Sequence, residues 1–255
     1  VYPTGVNPDG SKSAYKQQLE SKGAGLLGIR SKLGGHLNVQ FWDLFVEGIF
    51  NSALLQLDYA LPLKSGAQFY AAGQMIRQDA LEDGGHEEAS KRYFAKDGEA
   101  VTFGVRAGLK NRRWDGQLNY NRIGSQGRYL LPREWGRDPF FTFLPRERNE
   151  GFGDVHALMG RVQYQSAQKR WTGSLAAGYY DLPDVHDFAL NKYAMPGYVQ
   201  ANLDLRYKFG GLMEGLESQL LFVVKRKTEE SYGELKNVIH KVDLSLYHVI
   251  LNYYF

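Results

Sequence analysis

The stretch VQANLDLRYKF, residues 199–209, alternates at every position. Val199, Ala201, Leu203, Leu205, Tyr207 and Phe209 are apolar or aromatic, while Gln200, Asn202, Asp204, Arg206 and Lys208 are polar or charged. On a helix this spacing would scatter apolar groups over all sides, so a period of two predicts a strand with one apolar and one strongly polar face. Strands of globular sheets typically run about 5–6 residues, whereas a strand that crosses a membrane needs about 9–11. The length of this run fits the second class.

The pattern recurs. Residues 101–110 set Val101, Phe103, Val105, Ala107 and Leu109 against Thr102, Gly104, Arg106, Gly108 and Lys110, and residues 53–61 set Leu55, Leu57, Tyr59 and Leu61 against Gln56 and Asp58. The series predicts about eleven strands, over 24–33, 37–45, 53–62, 67–78, 99–110, 113–127, 153–165, 170–181, 197–209, 215–227 and 242–255. Short turns (LKSG, NR, SAQK, GGLME) close four hairpins, and long polar stretches at 79–98, 128–152, 182–196 and 228–239 join one hairpin to the next. Short turns on one rim and long loops on the other is the asymmetry of an outer-membrane barrel, with turns in the periplasm and loops outside. The prediction is an all-β, antiparallel transmembrane β-barrel, one domain over 1–255.

The same counting gives an orientation. With the last strand ending at the periplasmic rim, the first descends from outside, yet a single-chain bacterial barrel has an even strand number and both ends in the periplasm. An odd number of strands is therefore expected upstream, making this the carboxyl-terminal part of a larger barrel. The alternative is a twelfth weak strand within 1–22, against which Pro3, Pro8 and Gly10 argue.

Composition adds constraints. With 43% hydrophobic and 14% aromatic residues the chain can bury a core, and its 17 Tyr, 14 Phe and 29 Gly favour strands. A mean hydropathy of −0.43 and the lack of eighteen consecutive apolar residues exclude a transmembrane helix, but a barrel hides its lipid signal in alternate positions. The absence of cysteine removes disulfides and thiolate metal sites. A net charge of +3 is too small to imply nucleic acid, and the basic cluster KNRRW (110–114) falls in a turn. The opening VYPTGVNPDG carries no secretory signal and starts as a processed or truncated product does.

The polar faces carry the candidate chemistry. By register Arg30, Lys32, Arg106, Lys110, Arg161, Arg206, Lys208, Lys225 and Lys227 point inward, against fewer acids such as Asp58, Asp115 and Asp204. Placing such cations on lipid costs about 2–4 kcal/mol each near the midplane, so they are expected to face water. A cationic lumen concentrates anions, the requirement of an anion-preferring pore; individual Arg and Asp groups can instead brace one another. The longest loop, 131–151, carries Arg133, Arg137, Arg146 and Arg148 beside Glu134 and Asp138, with Trp135, Phe140, Phe141 and Phe143 between them. Those aromatics predict a loop that folds inward and presents arginines to the lumen, with an external lid as the alternative.

The motifs WGRDPFFTFLPRERNEG (135–151), YAMPGYVQANLDLRYKF (193–209), GLESQLLFVVK (215–225) and the ending VDLSLYHVILNYYF (242–255) resemble the carboxyl-terminal part of OprD-type outer-membrane porins. The resemblance implies an eighteen-stranded monomeric barrel with an inward-folded loop and a basic ladder that takes up small, often carboxylate-bearing nutrients; eighteen less the eleven strands here leaves an odd number, as the orientation requires. The ladder transfers to the inward Arg and Lys positions named above. The terminal strand sets Tyr247, Val249, Leu251, Tyr253 and Phe255 on the lipid face, and by resemblance Tyr253 and Phe255 carry the signal read by the outer-membrane assembly machinery.

No enzyme motif competes. There is no P-loop, G-x-S-x-G or H-E-x-x-H, and DVHD (184–187) and GHEE (85–88) match no metal-ligand pattern. The expectation is a non-enzymatic porin without cofactor or metal, in the bacterial outer membrane with a periplasmic carboxyl terminus. Its partners would be membrane lipid, small anionic or polar solutes and the assembly machinery. A barrel with a plugged lumen, acting as a structural partner in a larger complex, is the rival.

Overall fold

The computed structural model describes residues 4–132, 135–239 and 241–255. Its strands are β1 (Ala24–Leu33), β2 (Leu37–Val46), β3 (Phe50–Pro62), β4 (Gln68–Ala80), β5 (Glu99–Lys110), β6 (Trp114–Ile123), β7 (Val155–Gln165), β8 (Trp171–Asp181), β9 (Tyr198–Lys208), β10 (Leu216–Lys227) and β11 (Leu244–Tyr253), with a one-turn helix α1 at Leu235–Val238 and short 3-10 turns at Ala89–Lys91 and Gly211–Met213. Each strand pairs with its neighbour in sequence, giving one antiparallel eleven-stranded sheet in the order β1 to β11. β1 and β11 do not pair with each other, so the sheet is open along both edges.

Register follows from the alternation. Leu203 of β9 stands opposite Leu175 of β8 and Phe222 of β10, so the apolar rows align across three strands. A slip of one residue would turn every one of them to the charged side. The outward row is exposed along its length, Leu118, Leu175 and Val249 among its members, which is the burial pattern of a wall whose apolar solvent is lipid.

Near the long loops the pattern inverts. Inward positions become apolar (Phe50, Ile76, Ile123, Val155, Tyr180, Tyr198) and outward ones polar (Asn51, Arg77, Arg122, His156, Asp181). The cause is a layer of loops packed inside this rim. Its main cluster joins Ile76, Ile123, Tyr129, Phe140, Phe152, Tyr180, Tyr193 and Tyr198, and a second joins Val46, Ile49, Phe50, Tyr93, Phe94 and Leu130. This inversion explains why β3 begins at Phe50 and β4 runs to Ala80, beyond the ends that alternation predicts, while β6 stops at Ile123 because Gly124–Gly127 already belongs to the loop.

Two departures concern connections. β2 and β3 are joined by residues 47–49 alone, a tight turn on the rim otherwise occupied by long loops, with Gly48 at φ 70°. Residues 4–22 form no strand, which disposes of the twelfth-strand alternative over that span. They lie across the loop layer instead: the Val6 amide donates to the Lys192 carbonyl (2.8 Å), that of Ala14 to Ser90 (2.8 Å) and that of Glu20 to Gly85 (3.2 Å).

The opposite rim has only short turns and a belt of rings. Trp114 packs on Tyr164 (4.8 Å between centroids), Trp171 on Tyr207 (4.5 Å), Tyr207 on Phe209 (4.8 Å) and Tyr253 on Phe255 (6.3 Å). These are outward positions at one height, the arrangement of an interfacial aromatic girdle.

Candidate functional site: the inner face and its loop

The loop 131–151 lies against the inner face of the sheet. Side chains of four strands hold its backbone: Gln74 Nε2 donates to the Pro139 carbonyl (3.1 Å), the Tyr180 hydroxyl to Thr142 (2.8 Å), Gln200 and Asn202 amides to Pro145 (2.8 and 3.0 Å), and Lys225 Nζ to Arg146 (2.9 Å). Phe140 is buried with Tyr129, and Leu144 sits on Met159 and Ala176. The inward fold matches the first of the two expectations for this loop. Trp135 differs, remaining exposed.

The loop arginines divide. Arg137 and Arg146 are exposed; the guanidinium of Arg137 lies 5.3 Å from the Phe143 ring and Arg146 Nη2 is 3.2 Å from His248 Nε2 on β11. Arg148 does not reach the open inner space: its guanidinium stacks 4.0 Å from the Tyr193 ring. Asp138 accepts the backbone amides of Asn149 (3.3 Å) and Glu150 (3.1 Å), closing the base of the loop. Arg133 and Glu134 lie outside the described residues.

All nine basic strand positions predicted to point inward share the loop's side of the sheet, against Asp58, Asp115, Asp204 and Glu217 as the carboxylates of the inward rows. Their surroundings differ. Arg106 pairs with Asp58 (2.9 Å) while its guanidinium lies 4.5 Å from the Phe141 ring. Arg206 pairs with Asp204 (3.1 Å), which also accepts from Gln219 (2.9 Å), and Lys208 stands 3.9 Å from Glu217. Arg30 lies over Trp42 (4.9 Å), Lys110 over Tyr70 (5.8 Å), and Lys32 is exposed. With the Gln117 amide turned so that its oxygen meets Arg161 Nε (2.8 Å), its nitrogen donates to the Tyr70 hydroxyl (3.2 Å), and Tyr70 donates to Asp115.

Two of the nine are engaged by the loop layer. Lys225 is 3% exposed, covered by the loop and 4.1 Å from the Tyr198 ring. Lys227, at the rim, donates to Ser231 (2.8 Å). Both are inward by register, but only Lys225 is buried as a strut of the loop layer, while Lys227 stays exposed.

Beneath the loop a cavity of about 420 Å³ opens toward the short turns. Five cations line it, Arg137, Arg161, Arg170, Arg206 and Lys208, against Asp204 and Glu217. Arg170 and Glu217 were missed by sequence reasoning, although each shares the parity of the inward positions beside it. The fixed charge of the side chains lining this cavity is therefore net positive.

Glycine keeps the space open. A Cβ at Gly108 would meet the Tyr70 ring at 2.4 Å, and one at Gly28 would meet the Trp42 ring at 2.2 Å. Both rings therefore lie flat along the inner wall instead of projecting from it.

No protein-family profile and no curated protein matches the chain. Solved structures do. OccAB4 of Acinetobacter baumannii aligns with a TM-score of 0.69 at 17% identity over 92% of this chain and 53% of its own. OccK3 (OpdO) of Pseudomonas aeruginosa aligns at 0.71 and 16% over 91% and 57%, and the outer membrane protein OprD of Pseudomonas aeruginosa at 0.70 and 14% over 91% and 59%. The chain thus has the fold of OprD-type porin walls and spans between half and three-fifths of the length of these structures.

Proposed function

We propose that this chain forms part of the wall of an outer-membrane porin, a water-filled, anion-leaning channel for the diffusion of small solutes. One observation carries the reading: a single sheet turns an apolar row outward and nine cations against four carboxylates inward, with a loop folded onto the charged side. The inward loop narrows the path at mid-height, and the cavity beneath it, with Arg161, Arg206 and Lys208, forms the most cationic stretch. The aromatic belt at the short-turn rim supports a periplasmic placement of that rim and of the carboxyl terminus, with Tyr253 and Phe255 in the closing strand. Tyr253 and Phe255 are then also the residues offered to the assembly machinery.

The test is conductance of the purified protein in a planar bilayer under a KCl gradient. The expected result is an open channel whose reversal potential has the sign of anion preference and moves toward zero in the Arg161→Gln/Arg206→Gln/Lys208→Gln variant. Silent membranes would favour the plugged barrel, and a cation-selective reversal potential would contradict the charge argument.

A further inference from the structure

A second cavity, of about 430 Å³, lies apart from the inner track, within the loop layer. The segment before β1, the loop after β4, the first residues of the loop after β6, and Ala189 and Lys192 of the loop after β8 line it. Val6, Phe94 and Leu130 give it an apolar wall, while Tyr93, four cations (Arg92, Lys96, Arg128 and Lys192) and two carboxylates (Asp9 and Glu99) give it polar groups. The four cations are not equivalent, since Arg92 and Lys96 pair with Asp83 at 3.8 and 2.9 Å. Lys192 Nζ is matched by Glu150 at 3.9 Å and surrounded by the rings of Tyr15 and Tyr93 at 5.0 and 4.9 Å.

Arg128 has a different environment. Its Nη1 donates to the Val6 carbonyl (2.7 Å) and its Nη2 to that of Phe188, both neutral acceptors, and its buried Nε has no partner. Among the described residues no carboxylate lies within ion-pair distance of it, and Asp187 and Glu150 act on it only from farther away. Burial lowers its pKa to about 10, which still leaves it charged at neutral pH. Tyr93, 8% exposed, presents a second unpartnered donor, its hydroxyl. Arg128 is half-buried, but its Nε and the Tyr93 hydroxyl are fully shielded, and buried donors are nearly always satisfied. A cavity bordered by a cation with an unused donor, a free hydroxyl and an apolar wall has the chemistry of a site for an amphipathic anion.

We propose that this cavity binds a small organic anion, one carboxylate or phosphate group held by Arg128 and Tyr93 and a compact apolar body against Val6, Phe94 and Leu130. Such a ligand ties together segments of the loop layer that are far apart in the chain. The site is separate from the inner track, and its occupancy does not depend on conduction.

Isothermal titration of the purified protein in detergent micelles, with benzoate, phenyl phosphate, inorganic phosphate and benzyl alcohol as probes, tests this. Saturable binding of benzoate or phenyl phosphate is expected, at least about tenfold tighter than of benzyl alcohol or inorganic phosphate. Arg128→Gln and Tyr93→Phe should each weaken it by a similar factor, whereas Arg206→Gln in the inner track should leave it unchanged. Tyr93→Phe keeps the ring in the core, so its loss of binding cannot be ascribed to misfolding, and heat-modifiable gel mobility verifies the fold of Arg128→Gln. Absence of binding, equal binding of benzyl alcohol or inorganic phosphate, persistence in a folded Arg128→Gln protein, or loss in Arg206→Gln would each overturn the assignment.

Discussion

The two rims of this sheet solve the problem of apolar surface in opposite ways. At the loop rim Phe152, Val155, Tyr180 and Tyr198 are fully buried, packed inward among loops that meet water on their other side. At the turn rim Trp114, Trp171 and Tyr253 are more than half exposed, on the outer surface, and the connections there are too short to cover anything. The loop layer is therefore held as a soluble domain is, by burial of apolar area. The wall below it is held by its strand ladder, with lipid as the solvent of its apolar side.

The largest effect expected from breaking this contrast is in the loop core. Phe152→Ala should cost about 3–5 kcal/mol, seen as early protease cleavage of the loops and a lower urea midpoint in lipid vesicles. The corresponding truncation of the exposed Trp171 should cost much less. Next in size is the wall: Leu175→Arg, on the outward face near mid-strand, should destabilise the folded protein in bilayers by about 2–4 kcal/mol. Inserting arginine instead at the inward Ser174 should cost little, since that position opens on the cavity below the loop.

The smallest effect is a pH dependence confined to the loop rim. Glu229, after β10, has its carboxyl pushed up to about 7 from the usual 4.5, first by burial and then by the neighbouring Asp181, while its Oε2 accepts the Gly197 amide at 3.0 Å. The folded state holds this proton below about pH 7 and the unfolded chain does not until near 4.5, so the folded state gains stability as pH falls through that window. Hydrogen exchange in residues 228–243 should slow between pH 8 and pH 5, after correction for intrinsic rates. Glu229→Gln should abolish that trend.

The wall was legible in the sequence because membrane strands need an unbroken period of two, and β1 and β5 fall where alternation placed them, at 24–33 and 99–110. The rim was less legible because loops cover the inner face there: Phe50 and Tyr180 read as outward residues to a rule that equates apolar with lipid. Parity also sufficed to find the inward cations, and could have found Arg170 and Glu217. It could not reveal that the loop covers Lys225, or that Arg148 turns onto Tyr193, because those contacts join segments far apart in the chain. The cavity at Arg128 is likewise built from distant segments, including residues 4–22, in which sequence gave no pattern.

Because the chain contains no cysteine, the central claim of a water-facing cationic side and a lipid-facing apolar side can be tested position by position on β8. Single variants Thr172→Cys, Gly173→Cys, Ser174→Cys and Leu175→Cys, reconstituted in vesicles, would be exposed to anionic and cationic methanethiosulfonates of similar size. Modification at 172 and 174 but not at 173 and 175, with the anionic reagent the faster, is the predicted result. Equal labelling of all four positions, or faster reaction with the cationic reagent at 172 and 174, would contradict it.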